Sequence, residues 1–253
     1  MKRTILSLLL LTGVMLLMSA CGLLQEPEEA SSTIEATPLV IATSTSQPFI
    51  ETEESGGEME EAANAETETD PAAAGELRLY KISQADSEVR FELDEDLRGV
   101  RKTVIGTTDQ VAGEIAVDLS DLSNVQAGVI QINARTLTTD NNFRNRAIQN
   151  QILNTGEFEF ITFTPTAISG LPASAGVGEE VTFTIEGDLT IRDIIRQVIF
   201  TVVAMADSDG TIFGTATTII MRADYNLNIP SVPNVANVEE EVELYIDFIA
   251  TAS

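Results

Sequence analysis

The chain has 253 residues, 40 acidic against 14 basic, a net charge of −26, one cysteine, and neither histidine nor tryptophan. This composition removes the raw material for serine–histidine and cysteine–histidine nucleophiles and for zinc sites of His or Cys type. Its acidity also excludes nucleic acid as a partner, because phosphates are met by a basic face.

In chain order, Lys2 and Arg3 precede an apolar run from Ile5 to Met18 and the small residues Ser19 and Ala20. This is a secretory signal, too short to cross about 30 Å of hydrocarbon as a helix. Leu17-Met18-Ser19-Ala20-Cys21 resembles a bacterial lipobox, with Met18 where leucine is usual. The resemblance implies cleavage of the signal peptide 1–20 and a diacylglyceryl group on Cys21, the new N-terminus. A further palmitate-type chain would make a lipoprotein held on the extracytoplasmic face of the cell membrane, since stable anchoring takes more than one chain. The alternative is an ordinary secreted protein with a free cysteine, disfavoured because an exposed exported thiol is reactive.

From Gly22 to Glu76 there is no lysine or arginine, and Glu51, Glu53, Glu54, Glu58, Glu60 and Glu61 crowd a stretch rich in Ala, Thr, Ser and Gly. Such a segment buries too little apolar surface to offset an ordering cost of about 1 to 2 kcal/mol per residue. Residues 21–76 therefore read as a disordered acidic linker, a solvated stalk rather than a cation site or docking tail. A flexible stalk lets the folded part range some tens of Å from the bilayer.

Residues 77–253 read as one folded domain, apolar and polar residues alternating with period two. Val89, Phe91 and Leu93 form one such face, and Val242, Leu244, Ile246 and Phe248 another. Similar runs cover 103–119, 125–134, 158–163, 181–185, 197–206 and 211–223. Asp207-Ser208-Asp209-Gly210 reads as a hairpin turn rather than the start of a calcium loop. One helix is predicted over Asn141 to Leu153, with Asp140 as N-cap. Long antiparallel strands with one apolar face must pack as two sheets or close into a barrel, and periodicity alone leaves that choice open.

Two groups of residues stand out in this domain. Phe91, Phe160, Phe163, Phe183 and Phe200 line a cavity or fill a core. Phe143, Arg144, Asn145 and Arg146 set basic and amide donors beside an apolar helix face, suited to a polar ligand head at a barrel mouth or to a plain helix surface. Alternating carboxylates such as Glu243 and Asp247 read as solvated strand faces rather than an acid–base pair.

Ser87-Glu88-Val89-Arg90-Phe91, Arg144 to Ile148 leading into Glu157 to Phe163, Gly187-Asp188-Leu189-Thr190-Ile191 followed by Arg196 to Phe200, and Arg222 to Leu227 come in an order and spacing that resemble YceI-like domains. The likeness covers about Leu79 to Ala250 and implies an all-β, lipocalin-like antiparallel barrel of about eight strands with one helix. It implies an apolar interior that binds or carries a long isoprenoid, a polyprenyl chain or quinone tail. Ala147 stands where the family commonly has histidine, Gln149 where an arginine is frequent, and Glu159 where a proline is frequent. These departures point to a neutral, quinone-like head or a different ligand.

The expectation is a non-enzymatic, membrane-anchored isoprenoid binder with no metal site and no cofactor beyond a bound isoprenoid or quinone. Homodimerisation is left open. The alternative is an envelope scaffold or stress protein that binds a protein partner through its barrel loops.

Overall fold

The computed structural model describes residues 25–31, 33–41, 77–208 and 210–253. The signal sequence, Cys21 and most of the acidic run lie outside them, as does Asp209. Among the described residues no helix is long and apolar enough to cross a membrane.

Among the described residues, fourteen strands form one antiparallel sheet. They are β1 (Arg78–Ile82), β2 (Glu88–Leu97), β3 (Val100–Thr108), β4 (Val111–Ala112), β5 (Glu114–Val117), β6 (Gln126–Ala127) and β7 (Ile130–Asn133). There follow β8 (Thr138–Thr139), β9 (Phe160–Ser169), β10 (Glu180–Ile191), β11 (Ile194–Ala206), β12 (Thr211–Met221), β13 (Val235–Ala236) and β14 (Glu241–Ala252). Ladders run from β7 through β9, β10, β11, β12 and β14 to β2 and β3, and β4, two residues beyond β3, pairs back onto β7. The sheet thus curls on itself through eight strands, β3 and β4 counting as one interrupted strand, and this is the expected lipocalin-like barrel. The remaining short strands follow from changes of partner: the run 103–119 is cut into β3, β4 and β5, of which β5 leaves the circuit to pair with β1 and β6. Asp207 to Gly210 makes the turn between β11 and β12, with the Gly210 amide bonded to Asp207 O at 3.2 Å.

The apolar face of each strand points inward. At one end Ala206, Ile212 and Ala250 are buried in the core together with Tyr80, which β1 contributes from beside β5. The other end is crossed by the helix and by the loop between β12 and β14. The predicted helix is present but differs in two ways: α1 spans Asn142–Ala147, and Ile148–Ile152 is a π-helical turn. The N-cap is Asn141, not Asp140. Asn141 Oδ1 accepts from the amides of Phe143 and Arg144, at 2.9 and 3.2 Å, whereas Asp140 is engaged by the side chains of Lys102 and Arg144. The widened turn brings Gln149 inside, where its Nε2 donates to Arg135 O and Leu137 O at 2.9 and 3.1 Å.

The stalk expectation needs correction over its first part. Residues 25–41, apart from the undescribed Ser32, lie along the barrel as a strap. Asn150 Nδ2 donates to Gln25 O (2.8 Å), Arg135 holds Glu28 and Glu29 O, and the Ser31 amide donates to Glu159 Oε1 (2.8 Å). Farther on, Gln84 Nε2 donates to Ile34 O, and the Leu39 amide donates to Glu114 Oε2 at 2.7 Å. Ile34 is 3% exposed, a burial that contributes about 1.5 to 3 kcal/mol. One fully buried apolar residue, a half-buried Leu39 and scattered polar contacts are what the acidic, low-hydrophobicity sequence concealed.

Glu159 is the electrostatic centre of the strap. Burial pushes its pKa up, but hydrogen bonds from the Ser31 backbone and side chain, the Asn133 side chain and the Arg135 charge outweigh that and hold it below the ordinary glutamate value of 4.5. A depressed folded-state pKa contributes stability that is present above the unfolded value and lost as pH falls through the folded value. The strap is therefore expected to stay docked at neutral pH and loosen in acid below 4.5. The Ser31 amide resonance should report this in a pH titration, and Glu159→Gln should shift it already at neutral pH; an amide indifferent to both changes would contradict the assignment.

Candidate functional site: an apolar cavity with a paired rim

The inward faces leave a cavity of about 430 Å³ at the end away from Tyr80. That volume is in the range of small-ligand pockets. Its walls are aliphatic and aromatic. Val89, Phe91 and Leu93 come from β2, Phe163 from β9, Leu189 and Ile191 from β10, and Phe200 from β11. Ile220 of β12 and Val242, Leu244 and Ile246 of β14 complete the wall, and Ala147, Ile148 and Ile152 close over it from the helix.

Two glycines seat two of the rings. Gly106 lies opposite Phe91 in the β2–β3 ladder, and a Cβ there would stand 2.2 Å from Phe91 Cε1. Gly187 sits at the register shift between β9 and β10, where a Cβ would fall 2.6 Å from Phe163 Cζ. Phe163 in turn meets Phe200 edge to face at 4.9 Å, and both rings stay against the wall.

The rim is charged but internally neutralised. Glu95, on the inward side of β2 and 5% exposed, accepts from Arg144 Nη2 at 2.7 Å, and Arg144 Nη1 donates to Asp140 at 2.5 Å. The Lys102 hydrogen bond, with the Arg144 hydrogen bond and both positive charges, overcomes slight desolvation and holds Asp140 below the usual carboxylate range. Opposite them Arg222, almost wholly buried, donates to Glu239 O, Leu227 O and Val238 O and pairs with Glu240 at 2.8 Å. This arginine pins the loop 226–240 across the mouth, where β13 pairs with the end of β2. Arg98, at the β2–β3 turn with a φ of +54°, also lines the cavity, and its side chain has no partner among the described residues.

Of the residues singled out in the sequence, Phe91, Phe143, Arg144, Phe163 and Phe200 come together on the cavity. Phe143 is 69% exposed at its rim. Phe160, Phe183, Asn145 and Arg146 stand off the wall. Phe160 is three residues from Phe163 in one strand and so belongs to the opposite face, a parity the sequence displays. Phe183 packs against the core farther along β10. Asn145 Oδ1 accepts from the Thr139 amide and hydroxyl, at 2.7 and 2.6 Å, fixing the loop before the helix. Sequence reasoning missed Glu95, Arg98 and Arg222. Glu95 was visible as a carboxylate in register with Phe91 and Leu93; nothing local announces the reach of Arg222 to residues 16 to 18 positions away.

A curled antiparallel barrel with a helix over one end and an apolar cavity beneath it defines a lipocalin-like binding fold. The YceI-like domain family matches residues 80–250, and the chain belongs to that family. No curated protein matches it. Among solved structures it is similar to BcnA of Burkholderia cenocepacia, at 18% identity and TM-score 0.53, over 67% of this chain and 99% of that one. It is also similar to a polyisoprenoid binding domain from Saccharophagus degradans implicated in plant cell wall breakdown, at 16% identity and TM-score 0.54, over 70% of this chain and 100% of that one. Both likenesses concern the fold.

The pairing of Gly106 with Phe91 sets the cavity's width. Gly106→Val should drive the ring inward at a cost of about 1 to 3 kcal/mol in stability. Uptake of an apolar fluorophore should fall while the circular dichroism of the barrel is kept; undiminished uptake would show that Phe91 does not bound the cavity.

Proposed function

We propose that this chain binds a long isoprenoid, with its hydrocarbon tail in the barrel, as a lipid-anchored protein outside the cytoplasmic membrane. The observation that carries the reading is the aliphatic cavity under α1, open at a rim, in a YceI-like barrel. The fold likeness to a domain described as polyisoprenoid binding supports it. Walls of Val, Ile, Leu and Phe offer a branched hydrocarbon chain contact along its length and no group able to attack it, which favours binding over catalysis. At the rim Arg144 and Arg222 are already committed to carboxylates, so a neutral head costs no ion pair, and among the described residues that line the cavity Arg98 is a cation without a side-chain partner, free to meet a head-group oxygen.

The anchor rests on Cys21 and its lipobox-like context. Organic extraction of the purified full chain followed by mass spectrometry should release an isoprenoid near one per protein; an extract without any isoprenoid would sink the ligand assignment. Metabolic labelling with palmitate should mark the wild type and miss Cys21→Ser, and equal labelling of the two would remove the anchor.

A further inference from the structure

We propose that the strap seats the cavity mouth directly on the bilayer, the leaflet that holds the acyl chains being the surface the rim docks against. The inference rests on the acyl anchor at Cys21 proposed above. Cys21 stands four positions before Gln25, and four extended residues reach at most about 14 Å. Gln25 is held by Asn150 in the π-helical turn beside the mouth, and the next residues by Arg135. From there the strap runs toward the filled end, reaching Gln84 and Glu114. The strap therefore fixes its first residue at the open end, and the anchor cannot lie far from it.

The surface at that end suits a bilayer. Val100 at the β2–β3 turn is 68% exposed, and Phe143 and Val232, also exposed, belong to the cavity wall as well. Apolar surface thus continues from the outside of the rim into the cavity. The charges of this end are paired with one another, Arg101 with Asp94, Asp96 and Glu239, Lys102 with Asp140, and Arg144 with Glu95, so the apolar rim rather than net charge is what faces the leaflet. Lys102 with Asp140 and Arg144 with Glu95 tie the strands flanking the β2–β3 turn to the start of α1. A lipid ligand could then pass between leaflet and cavity without crossing water.

Since the chain has no tryptophan, single reporters are unambiguous. Val100→Trp marks the rim, and Val177→Trp marks the opposite end, where the neighbouring Gly178 amide bonds to Ala206 O. The acylated full chain, isolated from membranes of a bacterial host, is reconstituted in phosphatidylcholine vesicles with brominated acyl chains. Quenching should be several-fold greater for Val100→Trp than for Val177→Trp. It should fall to the Val177→Trp level when the strap is released by Ile34→Asp, or by Glu159→Gln should the first variant fail to fold. Protein that floats with the vesicles but is quenched equally at both ends, or in which strap release changes nothing, overturns the docking and leaves the anchor standing. Protein that does not float at all overturns the anchor, and the docking with it.

Discussion

The constraint on which the architecture depends is the division of one edge of β14. One side of this strand pairs with β12 from Glu241 to Thr251. The other side is shared: residues 243–247 pair with β2 and residues 250–252 with β1. The first half therefore carries the sheet onward round the cavity, and the second sends it into the covering flap of β1, β5 and β6. Unpaired strand edges are costly in isolation and hazardous in company, and one divided strand here supplies both the hollow end and the filled end.

Within that frame the cavity exists because side-chain volume is withheld at chosen places. A barrel of this size is just wide enough for side chains to fill it. Gly106 and Gly187 let Phe91 and Phe163 lie against the wall, and the helix closes the space with Ala147 and Ile148 rather than with larger groups. The rim is rigid for a different reason. Arg222 and Gln149 each satisfy several carbonyls of irregular backbone, which would be expensive to bury unpaired. Gln149 and Glu159, seen in the sequence only as departures from the family pattern, are structural in this chain: one holds the loop under the helix and the other receives the strap.

Strand content and inward faces were legible in the sequence because a half-buried strand writes its environment into alternate residues. The cut at Asp109 and Gln110 was marked in the sequence only by the polar run Thr107 to Gln110, and it is the change of partner from β2 to β7 that separates β3 from β4. The extent of the helix was legible, but not its π-helical second turn, which answers to carbonyls of Arg135 and Leu137 elsewhere in the fold. The cavity's aromatic residues were half legible: parity separates Phe160 from Phe163, whereas only the tertiary position of the hollow separates Phe183 from Phe200. The strap left the weakest trace. Its contacts join residues 50 to 128 positions apart and involve one buried isoleucine, so composition over 21–76 outweighed them.

The rim's ion pairs have a consequence for how a cargo would be released. Their cations are guanidinium groups and one ammonium, and the chain contains no imidazole. The usual side chain by which proteins sense a change between mildly acid and neutral surroundings is missing. For the proposed ligand, its abundance in the adjoining phase, rather than protonation of an imidazole at the rim, would then set loading and unloading.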